Sequence, residues 1–158
     1  MCEPDAHVST TATSPQVSWR EGAQARGVTP GAACTVQQIA DAEASLGHRL
    51  PPALSALYRL ADGFFDEPGQ WAVVWPLHRV VSENLQFRDG PLTLPSTLLA
   101  FGDDGTGSPF CLPVEERSPS AVVRWNWIDD EVEVEEGSLL VFMREWAGCQ
   151  EWPPEDST

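Results

Sequence analysis

The chain has 158 residues and a mass of 17.3 kDa, which fits one folded domain. Apolar residues make up 42% and charged residues 21%, and no apolar run reaches the roughly 18–20 residues that cross a bilayer, which excludes a transmembrane helix. Twenty-four acids stand against nine arginines and no lysine, a formal charge of −15. A surface of that sign repels phosphate backbones and anionic headgroups, so the composition argues against both nucleic acid and membrane as partners. The excess is uneven: residues 1–64 hold six acids and four arginines, net −2, whereas residues 65–158 hold eighteen and five, net −13. The partner that electrostatics favours is a basic protein. Solubility alone is the other reading of so much negative charge.

Residues 1–33 contain no Leu, Ile or Phe and are rich in Ser, Thr, Ala, Gly and Pro. They are expected to form a flexible or loosely docked polar arm, with Trp19 as the one side chain placed to touch the domain. The first residues, Met1-Cys2-Glu3-Pro4-Asp5, lack the basic region and apolar stretch of a secretory signal, so a cytoplasmic location is expected. The fold is expected within residues 34–152, and residues 153–158 read as a polar tail.

Two helices open that domain. Thr35 and Gln38 match a capping box, and Val36, Ile39, Ala40 and Leu46 follow as an apolar stripe ending at Gly47. Pro51 and Pro52 suit the first turn of a second helix, whose stripe is Leu54, Leu57, Tyr58 and Ala61, with Gly63 as its stop. After a turn at residues 66–69 the period changes to two: Trp71, Val73, Trp75 and Leu77 are expected on one face of a strand. A short helix is expected within 79–87.

Strands are then expected at Leu98–Phe101, through Phe110, Leu112 and Val114, over Ala121–Ile128, and at Glu131–Glu135. Val123, Trp125 and Trp127 share a face of the third of these, and Asp129-Asp130 forms its turn. Ser138 caps a last helix with the stripe Leu139, Phe142, Met143 and Trp146. The pattern is α+β: an N-terminal helical pair and a C-terminal helix covering one face of a sheet.

The order of these elements and the residues that punctuate them resemble the SUKH superfamily. The resemblance runs over about residues 35–147, through Ile39–Phe65 (IADAEASLGHRLPPALSALYRLADGFF), Trp75-Pro76-Leu77 and Phe101–Leu112 (FGDDGTGSPFCL), then Val122–Trp125 and Ser138–Trp146. It implies helices packed on a mixed, mostly antiparallel sheet and no catalytic activity. Many bacterial members of that superfamily look like antidotes to a cognate toxin, often a nuclease or deaminase, and eukaryotic members related to the fungal cell-wall assembly regulator look like interaction hubs. Binding surfaces differ between members, so the resemblance transfers no contact residue.

The residues that carry most chemistry are acidic. Glu131, Glu133 and Glu135 alternate with Val132 and Val134, which puts three carboxylates on one strand face about 6.5–7 Å apart. Neighbours at that spacing repel by about 0.5 kcal/mol in water, which a basic partner would relieve. The alternative is that they keep an edge strand from aggregating. Asp129, Asp130, Glu131, Glu133, Glu135 and Glu136 are therefore the first candidate contacts for a basic protein, and Asp66, Glu67, Asp103 and Asp104 the second.

Gly102–Gly107 has no Lys for a phosphate loop and too few oxygen ligands for calcium, and reads as a tight strand connection. His7, His48 and His78 are scattered, and no Ser or Cys stands in a catalytic motif. Cys2, Cys34, Cys111 and Cys149 have no zinc or disulfide spacing and read as free thiols, with Cys111 buried. No metal or cofactor is implied. Of the tryptophans, Trp71, Trp75, Trp125 and Trp127 fit the core, and Trp152 is the candidate exposed anchor. Together with the acidic surface, the resemblance implies an immunity protein that blocks a toxin or, alternatively, a regulatory scaffold of the same fold. An enzyme with a loop-built site ranks last.

Overall fold

The computed structural model describes residues 20–21, 23–25, 27–66, 72–90, 93–115 and 121–145. Cys2, His7, Trp19, Glu67, Trp71, Trp146, Cys149, Trp152 and the expected tail lie outside the described residues.

Helix α1, Val36–Leu46, has the expected capping box: Gln38 N donates to Thr35 Oγ1 at 3.1 Å and Thr35 N to Gln38 Oε1 at 2.8 Å. Gly47 ends it in the left-handed region, at φ 85°. Its buried face is Ile39, Ala42 and Leu46. Val36 and Ala40, expected in that stripe, are exposed, and the buried stripe runs through Ala42 instead. Helix α2, Pro52–Tyr58, buries Leu54, Leu57 and Tyr58 as its spacing requires. It stops at Arg59, four residues before Gly63.

The fold starts earlier than residue 34. Strand β1, Val28–Pro30, pairs with strand β2, Phe64–Asp66, and β2 pairs with strand β3, Ala72–Val74. Ala23 is fully buried, and Arg20 donates to the carbonyls of Gly31 and Leu60. Hydrophobic periodicity misses this segment because it docks through backbone ladders and one small side chain rather than through an apolar stripe.

Strand β3 is shorter than expected and buried on both faces. Leu77 is not part of it; it opens helix α3, Leu77–Asp89. A second sheet follows in antiparallel sequence: β4 (Leu98–Asp103), β5 (Pro109–Pro113), β6 (Val122–Asn126) and β7 (Glu131–Glu136). Helix α4, Leu139–Glu145, is the last described element, with Val141 N donating to Ser138 Oγ at 3.2 Å and Leu139, Phe142 and Met143 buried. The two sheets meet where Trp75 N donates to Phe101 O at 2.8 Å. At the same seam Gly102 lies so close to β3 that a Cβ there would fall 1.9 Å from Val73 O.

The helices do not share one sheet face. Phe110 pairs with Arg124, so Trp125 points to the opposite face from Phe110. Phe142 of α4 stacks edge-on against Phe110 (centroids 4.8 Å apart) and Phe101 (5.4 Å). Phe87 of α3 meets Trp125 edge-on at 5.5 Å. Thus α3 covers one face and α4 the other, which is why β4 and β5 are almost wholly buried. Asn84 of α3 fixes this packing: its amide donates to Ala100 O at 2.8 Å and accepts from Ala100 N at 3.0 Å.

Candidate protein-binding surface

The β6–β7 ribbon places the six first-choice acids on one projecting element. The chain turns over residues 127–130, with Asp130 at φ 55°. That conformation is stabilised by the Trp125 indole N–H, which donates to Asp130 Oδ1 at 3.0 Å. Asp129 accepts from Asn126 Nδ2 at 3.3 Å. Trp127, expected on the core face of β6, belongs to this turn and is partly exposed, since the strand ends at Asn126.

A register shift between Val122 and Val123 changes the face count. Glu131 is opposite Asn126, Glu133 opposite Arg124 and, past the shift, Glu136 opposite Val122. All three therefore share the face of Arg124. Glu135, the extra residue, reaches Arg124 as well, so four carboxylates collect where strict alternation would place three. The repulsion expected along this row is answered from inside the fold. Arg124 donates to Glu133 Oε2 at 3.0 Å and Asp104 Oδ2 at 3.0 Å, and its Nε lies 3.3 Å from Glu135 Oε1. A partner is not needed to relieve it. One guanidinium against seven carboxylates (Asp104, Asp129, Asp130, Glu131, Glu133, Glu135, Glu136) still leaves the ribbon strongly negative, and among the described residues no cation pairs with Glu131 or Glu136.

The second-choice acids divide differently. Asp103 is buried: it accepts from the Trp75 indole N–H at 2.9 Å and from Gly105 N at 2.8 Å, with Arg79 at 3.6 Å. The Asp104 side chain is 7% exposed and bound to Arg124 and Thr106. Burial alone would raise the Asp104 carboxyl, but hydrogen bonds from Thr106 and the Arg124 guanidinium outweigh it and hold the group below its ordinary value. Both aspartates are thus engaged in shaping the β4–β5 connection. Asp66 is half-buried on β2, in the other sheet from the ribbon, and Glu67 lies outside the described residues.

Sequence reasoning missed the ribbon's other face. Val132 and Val134 point away from Arg124 and are 48% and 70% exposed, with Ile128 exposed at the tip. The signal was present in the Glu-Val alternation, which was read for its carboxylates alone and assigned the valines no role. The ribbon is therefore amphipathic, acidic on one side and apolar on the other.

A groove of about 410 Å³ beside α1 and the start of α3 is lined by Cys34, Gln38, Asp41, Asp62 and His78. Burial, with the Asp62 carboxylate beside it, pushes the Cys34 thiol up to about 12, so it is no nucleophile near neutrality. Asp62 itself accepts the Leu77 amide at 2.6 Å and caps α3. Among the described residues no three His, Cys, Asp or Glu converge as a metal site, and no helix is long and apolar enough to cross a membrane.

An α+β domain with antiparallel sheets, and with its strongest chemistry on a projecting ribbon rather than in a cleft, has the form of a protein-interaction module. The model of the SMI1 / KNR4 family (SUKH-1) matches residues 33–145, and the chain belongs to that family. The family is generally non-catalytic and points to protein–protein interaction. Comparison with curated proteins brings no match.

Proposed function

We propose that this chain is a non-enzymatic, cytoplasmic protein-binding domain that neutralises a basic toxin domain by covering it with the β6–β7 ribbon. The observation that carries this reading is the concentration of carboxylates from Asp129 to Glu136 on one exposed element, in excess of Arg124, the one cation among the described residues that pairs with them. Such a field steers a cationic partner and accelerates its association. Occlusion requires no chemistry from the antidote, which agrees with a groove whose thiol is held protonated. Membership of a family that points to protein–protein interaction supports the same direction.

The test is capture from the source cells with the native chain and with a D129K/E131K/E136K variant as bait. The reading expects a basic polypeptide held by the native chain, with the variant's association rate lowered at least tenfold and its salt dependence flattened. Equal kinetics for the two baits would remove the ribbon from the binding surface. A regulatory scaffold shares the fold and the charge but not the target. A retained toxin whose growth arrest is relieved by co-expressing this chain separates the two.

A further inference from the structure

The two sheets have four outer strands; β3 and β4 lie against each other at the Trp75–Phe101 seam, which leaves the edges of β1 and β7, and these differ. Strand β1 has three residues and ends in Pro30, which has no N–H to offer a further strand. Strand β7 has six residues and no proline, and among the described residues nothing pairs with its outer edge. Exposed edges of this length invite strand addition, in which main-chain hydrogen bonds supply affinity and alternate side chains supply specificity. The side chains here state that specificity. Glu131 and Glu133 stand on one face and Val132 and Val134, both exposed, on the other.

We propose that β7 receives an extended segment of the partner as an additional strand, one in which Lys or Arg alternates with apolar residues. Opposed residues on adjacent strands come within about 4.5–5.5 Å, so each cation of such a segment faces a glutamate and each apolar side chain covers a valine. A second copy of this chain is the poorer occupant, because antiparallel pairing of two β7 strands sets carboxylate against carboxylate. The ends of the chain are poorer too: residues 1–19 and 146–158 contain no Lys or Arg. The inference rests on the ribbon being the binding surface and adds how it binds.

The probe is a synthetic, capped Arg-Val alternating decapeptide, tested on the full chain against the same peptide N-methylated at every second residue. Methylation keeps the charges and removes the hydrogen bonds along one edge. Strand addition expects hydrogen exchange to slow at least tenfold at amides within residues 131–136, and the methylated peptide to bind at least tenfold more weakly. E131Q/E136Q, which leaves the Arg124 pairs in place, should weaken the unmethylated peptide by a similar factor. Equal binding of both peptides with loss in the Gln variant overturns strand addition while charge-based capture stands. No effect of the Gln variant overturns both. A Gln variant that self-associates, with no peptide bound by the native chain, makes the glutamates guards against aggregation and overturns the proposal.

Discussion

Arg124 and Glu133 face each other across the β6–β7 ladder, joined at 3.0 Å, and the same guanidinium reaches back to Asp104 on the β4–β5 connection. One cation thereby ties the projecting ribbon to the body of the second sheet. Hydrogen bonds to Glu133 and Asp104 raise its already high pKa further, so it stays charged at every accessible pH.

Replacing Arg124 by Met keeps the aliphatic stem but leaves the mostly buried Asp104 carboxylate without its cation and restores repulsion between Glu133 and Glu135. A loss of about 2–3 kcal/mol is expected, near the lower end for breaking such a pair because Arg124 is partly solvated. Urea unfolding of the native chain and R124M measures it. A change below about 0.5 kcal/mol contradicts the assigned role.

Acid should reveal the same site. The Asp104 carboxyl lies below its ordinary value in the folded chain, so the unfolded chain binds the proton more readily. The stability that Asp104 contributes is complete above the ordinary Asp range, near about pH 4, and is lost as pH falls through the lower folded value. Unfolding midpoints measured downward from pH 6 should therefore decline more steeply in the native chain than in D104N. Parallel curves would show that Asp104 is not held as described.

Gly102 and Gly47 should answer differently to alanine. At Gly102 a Cβ meets the Val73 carbonyl at 1.9 Å, so the seam between the sheets must open, and about 3 kcal/mol should be lost. At Gly47 nothing lies within 4 Å and only the left-handed backbone is penalised, by roughly 1–2 kcal/mol. Thermal unfolding of G102A and G47A gives the order directly.

The thiols make a further check. Cys34 is buried beside Asp62 with its pKa pushed up to about 12, and burial raises Cys111 as well. In a C2S/C149S background, neither should react with Ellman's reagent at pH 8 until the chain is unfolded. Rapid labelling of Cys34 in the folded chain would contradict its placement.

Much of this fold was legible from local chemistry. The capping box of Thr35 and Gln38, the Gly47 stop and the Ser138 cap are contacts within four residues, and periodicity alone located α1, α2, α4 and the strands from β4 to β7. What escaped depends on distance along the chain. The helix expected within 79–87 is present as α3, but it begins two residues earlier, at Leu77, where Asp62, fifteen residues back, accepts its first amide. Strands β1 and β2 are three residues each and held by backbone pairing. The acids of the ribbon were visible as a run, but their balance was not, since the partners of Arg124 lie 9, 11 and 20 positions away. Asp103 and Asp104 looked like surface charge in a glycine-rich turn, and the structure occupies both with Trp75, Thr106 and Arg124.

The central claim is that the acidic ribbon is the surface on which a partner lands. Hydrogen exchange of the chain bound to its captured partner measures this most directly. The account predicts that slowing concentrates in residues 127–136 and disappears with D129K/E131K/E136K. A ribbon that exchanges in the complex as it does in the free chain, with slowing confined to α1 and α2, would contradict it.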